Sequence, residues 1–310
     1  MAYLLERSSH TTSRRPVGGA DYPRSRQEFE HWFGDEAGCV EYLAALRWPE
    51  GFTCPTCGGD RSWRTGHLSW MCVACGRKTS VTAGTIFHRS HAPVSTWFAA
   101  IWYVTGQRNG VSARGLQRAL GLGSYETAWA WLQKLRRAMV RPRHDLLTGT
   151  IELDETFVNG SAVAARTRVL VAVERVSRQR LGRVRFGVVD RGPDSGHLVD
   201  FARQTIEQGA TIRIDLGTPA RHLVRLGYVH ERDSAAPGVQ FVASDLKRWI
   251  AGTLRHHVSR ANLPYYLDEY AFRFDRRGST GHGMLFYELL RQAVATEPHP
   301  LADLVRPQLR

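Results

Sequence analysis

Apolar and polar positions change their period several times along the chain. Between Arg26 and Trp48, Phe29, Trp32, Phe33, Val40, Leu43 and Leu46 recur at spacings that fit one or two short helices. The pattern then breaks into short β-type stretches separated by paired cysteines and glycines, up to about Phe87, which predicts a small β-rich module. Helical spacing returns at Pro93, which suits a first helical turn, and runs through "VSTWFAAIWYVTG". In "VSARGLQRALG" Ser112 is a candidate N-cap and Gly121 a stop, and Ser124 can cap "YETAWAWLQKLRRAMV". Ala128, Trp131, Leu132, Leu135 and Met139 keep helical spacing in that last segment. From about Thr148 the period falls to two. In "TIELDETFV" Ile151 and Leu153 share one face and Glu152 and Asp154 the other. "TRVLVAVERV" and "RVRFGVVD" read as further strands around a turn at "SRQRLG". A helix follows over "SGHLVDFARQTIEQG", ending at Gly209, then a strand at "ATIRID" and more helices. Strand, strand, strand, helix, strand, helices is a mixed α/β plan.

Composition changes this picture in one respect. At 310 residues and 43% hydrophobic content the chain can bury a large domain and smaller ones. Its 42 Lys+Arg against 29 Asp+Glu leave a formal +13, which favours a polyanionic partner such as nucleic acid. Only three residues are lysine, Lys78, Lys134 and Lys247; arginine suits phosphate forks, although genome base composition would give the same bias. The longest apolar run, "WFAAIWYV", has eight residues against the roughly 20 of a membrane span, so no membrane partner is expected. The first 26 residues read as a flexible basic arm and not a secretory signal, which makes a cytoplasmic, nucleoid-associated location the expectation.

Chemistry enters through the cysteines. Cys54-Pro-Thr-Cys57 and Cys72-Val-Ala-Cys75 are two CxxC pairs fourteen residues apart, each followed by a glycine, Gly58 and Gly76. Two such knuckles present the four thiolates that tetrahedral zinc prefers; a disulfide framework is disfavoured in the cytoplasm, and a redox CxxC needs no second pair. Whether this ribbon touches DNA stays open. Cys39, standing apart, reads as a small buried hydrophobe. The two helices before Met139 have the outline of a helix-turn-helix, with Lys134, Arg136, Arg137, Arg141 and Arg143 as a basic, DNA-binding end; a plain helical linker is the alternative.

Asp154 ends the apolar part of one strand and Asp215 closes "TIRID" after an intervening helix. On neighbouring strands their carboxylates would converge as hard oxygen ligands for Mg²⁺ or Mn²⁺, whereas either one alone reads as a turn-former. The order "FTCPTCGG", "SWMCVACGRKTSVTAGTIFHRS", "IELDETFVNG", "RIDLGTPARHLVRLGYVH", "VASDLKRWIAGT" and "YLDEYAFRFDRR" resembles the insertion-sequence transposases that join an N-terminal zinc ribbon to an ISXO2-like DDE domain. The resemblance implies a ribonuclease H-like mixed sheet with flanking helices, preceded by a four-cysteine zinc ribbon and a helical region.

The boundaries expected on that basis are an arm to 26, short helices and ribbon over 27–92, a helical DNA-binding region over 93–147, the catalytic domain over 148–295 and a tail over 296–310. The resemblance assigns Asp154 and Asp215 to the first two acidic positions, structural Zn²⁺ to the ribbon, and catalytic Mg²⁺ or Mn²⁺ to the acidic site. The third position falls on Gln240, seven residues before Lys247, where the family usually has an acid. Asp245 is nearer the lysine but rotated about 140° around a helix. The chain also carries Gly217 and Ala220 where the family usually has tryptophan and tyrosine downstream of its second Asp.

The implied function is a DNA transposase that binds terminal inverted repeats and target DNA, cleaves and transfers strands, and works as a homodimer or larger assembly. Lys247 and Arg248 would contact the DNA backbone. The alternative is an inactive, transposase-derived DNA-binding protein. "YYLDEYAFRFDRR" is expected as a helix in which Glu269 pairs with Arg273 instead of serving catalysis.

Overall fold

A computed structural model describes residues 16–66, 68–140, 145–159, 166–189, 195–215, 217–233, 235–254, 258–278, 281–301 and 304. The expected basic arm up to residue 15, and Arg141 and Arg143, lie outside them. Two helices, α1 (Arg26–Trp32) and α2 (Glu36–Arg47), precede a three-stranded antiparallel sheet of β1 (Ser62–Arg64), β2 (Ser69–Cys72) and β3 (Lys78–Ser80). Helices α3 (Val94–Gly106), α4 (Ala113–Leu120) and α5 (Tyr125–Ala138) follow, then strands β4 (Thr150–Asn159), β5 (Arg166–Arg175) and β6 (Leu181–Val189). Next come α6 (Ser195–Thr205), β7 (Thr211–Arg213), α7 (Gly217–Arg225), β8 (Val229–Glu231), α8 (Pro237–Leu254), α9 (Leu263–Asp275) and α10 (His282–Ala295).

The chain divides into two compact units. Among the described residues, the first holds those within 16–108, 113–138 and 281–300, the second those within 109–112 and 139–278 with 301 and 304. The strand-rich region therefore closes at Gly278 and not at the expected 295, because α10 is part of the first unit. Its Phe286 ring meets Phe29, Phe33, Phe98 and Trp102 with centroids 5.4 to 5.8 Å apart. In the same unit Glu36 accepts from the N–H groups of Val94 and Ser95 at 2.7 and 2.9 Å, satisfying two orphan donors of α3. Ser124 caps α5 through the Thr127 N–H at 3.0 Å, and Gly121 turns the chain after α4 with φ +62°. Trp97 stacks on Trp131 at 3.8 Å.

The buried face of α5 contains Ala128, Trp131, Leu132 and Leu135 as the spacing predicts, but it also takes in Gln133 and Arg136; the helix ends at Ala138, so Met139, though buried, lies just past it. Among the described residues neither amide atom of Gln133 has a hydrogen-bond partner, so its desolvation goes uncompensated there. Gln133→Met is expected to raise stability by about 1 kcal/mol, read as a higher urea midpoint at unchanged slope.

The second unit is built on a five-stranded sheet in the order β6-β5-β4-β7-β8, with β4–β5 and β5–β6 antiparallel and β4–β7 and β7–β8 parallel. This is the expected mixed sheet with flanking helices. One apolar layer joins Ile151, Leu153, Leu170, Ile212 and Ile214 to Leu198, Phe201 and Leu223, covering one face. On the other face Val169, Val171, Val173 and Val184 pack against Val239, Val242, Leu246 and Ile250 of α8 and Leu267, Tyr270 and Phe274 of α9. Helix α6 ends at Thr205, short of the expected Gly209, because Ile206 leaves the helix to bridge Leu147, whose carbonyl accepts from the Glu207 N–H at 2.9 Å. Strand β8, which the periodicity does not predict, pairs in parallel with β7 through only three residues.

Candidate functional site

The four cysteines gather in the first unit. Cys54 Sγ lies 3.7 Å from Cys75 Sγ and Cys57 Sγ 3.6 Å from Cys72 Sγ, and one ligand atom from each falls within 4.8 Å of the others. A tetrahedron with Zn–S bonds of about 2.3 Å has edges of about 3.8 Å, so the donor set fits a structural zinc. The knuckles form as their glycines require: Gly58 N–H donates to Cys54 O at 2.9 Å and Gly76 N–H to Cys72 O at 3.0 Å, with φ at +73° and +68°. The Cys54 thiol is drawn down to about 6 by the N–H groups of Cys57 and Thr56, which favour the thiolate that binds metal. Cys39 is fully buried, as a small hydrophobe should be, and burial pushes its thiol up to about 12.

In the second unit the parallel register pairs Ile151 with Ile212 and Glu152 with Arg213. That pairing ends at Glu152 and Arg213; the two segments run on from there through Leu153 to Asp154 and through Ile214 to Asp215. Leu153 and Ile214 point into the α6/α7 layer, so both carboxylates belong to the opposite face, the one α8 covers. Asp154 is half-buried, with Oδ1 accepting the Glu155 N–H at 2.7 Å. Asp215 is exposed and ion-paired, its Oδ1 2.8 Å from Arg232 Nε.

Helix α8 starts directly over β4. Glu152, 0% exposed, accepts through Oε2 from the N–H groups of Gly238 and Val239 at 2.6 and 3.2 Å, placing an anion at a helix N-terminus. Its Oε1 lies 3.0 Å from Arg175 Nε, an ion pair without the alignment of a hydrogen bond. Only glycine fits at 238, since a Cβ there would sit 2.8 Å from that carboxylate. Val239, Val242, Leu246 and Ile250 then form the buried side of the helix, with Gln240, Lys247 and Arg248 exposed.

Asp245 and Gln240 lie on different flanks of α8. Asp245 lies on the flank towards α9, where its Oδ2 accepts from the Tyr270 hydroxyl at 2.8 Å; burial first, and this bond second, push the phenol far up. Helix α9 lies over the β6 side of the sheet, its Tyr270 against Phe186 and its Asp275 accepting the Val184 N–H at 2.8 Å. Gln240 and Lys247, seven residues apart, share one exposed stripe of α8, away from the flank that holds Asp245. Glu269 is 1% exposed and bound to Arg273 at 2.8 Å, the pair expected from their spacing.

The remaining predicted DNA contacts lie in the first unit. Lys134 is half-buried, and burial draws its ammonium below the usual lysine value. Arg137 is also half-buried. Arg136 is 2% exposed and so does not belong to a basic surface: it falls four residues after Leu132, on the core face of α5. Two residues that matter to the site escape a reading of the sequence. Glu152 looks there like an ordinary alternating polar residue, its one signal being an acid on the same face as Asp154. Arg232 has no sequence signal, because its pairing with Asp215 depends on β8.

Residues 146–275 match the ISXO2-like transposase domain and residues 34–78 the transposase zinc-ribbon domain. A protein of transposable element ISH50 from Halobacterium salinarum is 28% identical over 177 residues, covering 54% of this chain and 59% of the relative. The match thus spans about three fifths of that relative's length. A chain in the cryo-EM structure of the simian T-cell lymphotropic virus intasome in complex with PP2A regulatory subunit B56 gamma aligns with a TM-score of 0.30 and 16% identity. That alignment covers 50% of this chain and 63% of the other.

Proposed function

The chain belongs, through its ribbon and its sheet domain, to the insertion-sequence transposases with an ISXO2-like domain, and from that premise we propose that it cleaves and transfers DNA strands at its element's ends. The observation that carries this reading is the parallel pairing of β4 and β7, the strands that lead into Asp154 and Asp215, with the start of α8, the helix that bears Gln240 and Lys247, bonded to Glu152 of β4. Two carboxylates and an amide oxygen are hard donors, the set suited to Mg²⁺ or Mn²⁺. Asp154, Asp215 and Gln240 would hold the metal. When bound, such an ion activates the attacking hydroxyl and stabilises the leaving oxygen of a phosphodiester. Gln240 contributes a dipole in place of a full charge, which predicts weaker metal retention than an acid at 240 would give. Lys247 and Arg248, exposed on α8, hold backbone phosphates of the element ends and target. Arg232 leaves Asp215 for phosphate when DNA arrives; an ion pair this exposed costs little to open. The protein works as a dimer or larger assembly holding two ends.

The test incubates purified protein with DNA bearing the element's terminal inverted repeats and Mg²⁺ or Mn²⁺. Native protein is expected to nick the repeats. Asp154→Asn is expected to lose about 10²–10³-fold in rate, matching the several kcal/mol a bound metal contributes. Gln240→Glu is expected to lower the metal concentration needed. Equal nicking by native protein and Asp154→Asn would sink the site assignment. No nicking by native protein, with activity gained by Gln240→Glu, would instead make the chain a DNA-binding protein that has lost cleavage.

A further inference from the structure

The small sheet of the ribbon has a covered face and an open one, and the strand register sorts its residues between them. The row Arg64, Trp70 and Thr79 lies on the covered face. There Trp70 meets Trp48 with ring centroids 5.2 Å apart, the Arg64 guanidinium stands over the Trp70 ring, and Thr79 is 3% exposed. The neighbouring row, Trp63, Met71 and Lys78, therefore points the other way, since successive side chains alternate across a sheet. Arg61 and Val73 extend that face by one more pair, their segments still joined where the Val73 N–H donates to the Arg61 carbonyl at 2.9 Å.

Exposure agrees with this sorting. Trp63 has 51% of its surface open and Val73 45%, Met71 is half-buried, and Arg61 and Lys78 are exposed. Neither Arg61 nor Lys78 makes a side-chain ion pair or hydrogen bond among the described residues, and no acid stands in either row. The open face therefore combines an indole, two apolar neighbours and two unspent cations on one side of one sheet.

Charge selects among occupants. A second copy meeting this face with its own would bring four cations together, a like-charge juxtaposition that costs binding. A duplex keeps its bases stacked on both sides and would set only its phosphate backbone against the apolar rows. An unpaired nucleotide matches both halves of the face, its base flat on an aromatic ring and its phosphate on a cation. We propose that the open face of the ribbon is a single-stranded DNA subsite, with one unpaired base stacked on Trp63 and the adjoining phosphates held by Arg61 and Lys78. The ribbon then does more than hold zinc: it grips a strand wherever an element end is opened. The inference rests on the transposase reading for the identity of the polyanion.

The test uses the full-length, zinc-loaded protein without added catalytic metal, so that binding is read apart from cleavage. The probe is a short single-stranded oligonucleotide with one 5-iodouracil, beside its duplex, followed by anisotropy and by photocrosslinking mapped with mass spectrometry. The single strand is expected to crosslink at Trp63 and the duplex not. Trp63→Leu, a change at an open position, is expected to keep its zinc but lose the crosslink and about tenfold in single-strand affinity, while Trp63→Phe keeps most of both. Lys78→Ala is expected to keep the crosslink and to lower the slope of log affinity against log salt by about 0.7, the share of one phosphate. Phe241→Leu, at another ring 60% exposed, is expected to change none of these. Undiminished affinity in Trp63→Leu, equal crosslinking of the duplex at Trp63, or a loss in Trp63→Leu of self-association alone would overturn the subsite while leaving the cleavage reading intact. Failure of the native protein to bind either form would overturn both.

Discussion

Removing the metal from the ribbon, by Cys72→Ser or by a strong chelator, is expected to unfold β1–β3 while the helices of the first unit persist. The ribbon has almost no core of its own: Phe52, Cys54 and Cys72 are its buried cluster, with Trp48 and Trp70 packed alongside. Burial of that size cannot offset the chain entropy of three short strands, so folding there depends on the metal, whose binding in such sites is worth about 10–16 kcal/mol. The helices have an independent core of Phe29, Phe33, Phe98, Trp102 and Phe286. Native protein should release one zinc per chain in a colorimetric assay and Cys72→Ser none. Limited proteolysis of Cys72→Ser should cut within residues 54–80 first. Full zinc occupancy in Cys72→Ser, or loss of the helical circular dichroism together with the ribbon, would contradict this account.

Glu152→Ala is expected to cost about 3–5 kcal/mol and, on the proposed function, to abolish cleavage. The substitution strips two N–H groups of α8 of their acceptor and leaves Arg175 beside a buried site with no counter-charge. It also frees the helix that carries Gln240 and Lys247 from the strand that carries Asp154. Glu152→Gln, which keeps an acceptor for the helix N-terminus, should retain more stability than the alanine variant. Urea denaturation of native, Gln and Ala proteins checks the order. A loss below about 1 kcal/mol in Glu152→Ala would show that α8 is held by its apolar face alone.

The cysteine spacing is enough to specify a four-thiolate cluster, because a CxxC knuckle is a local structure closed by its own backbone hydrogen bonds. The period-two pattern of "TIELDETFV" likewise places Glu152 and Asp154 on one face of a strand. The helix cap at Ser124 and the turn at Gly121 are legible for the same reason: each is decided within a few residues. Other assignments depend on segments far away in the chain. Periodicity puts Asp245 and Gln240 on different sides of a helix, but that Asp245 turns towards α9 follows from Tyr270, 25 residues on, claiming it. Glu152 becomes a helix anchor only because α8 begins over it, 86 residues later.

Composition suggests that Arg136 is a DNA contact, and the packing of α5 buries it. Residues 281–295, expected within the catalytic domain, form α10 and join the aromatic core of the first unit instead. The sequence by itself determined which side chains share a face and which knuckles can bind metal, since those follow from backbone geometry over a turn or a pleat. Only the tertiary structure decided which faces meet, because that choice is made by burial and charge pairing between segments whose separation along the chain leaves no periodic trace.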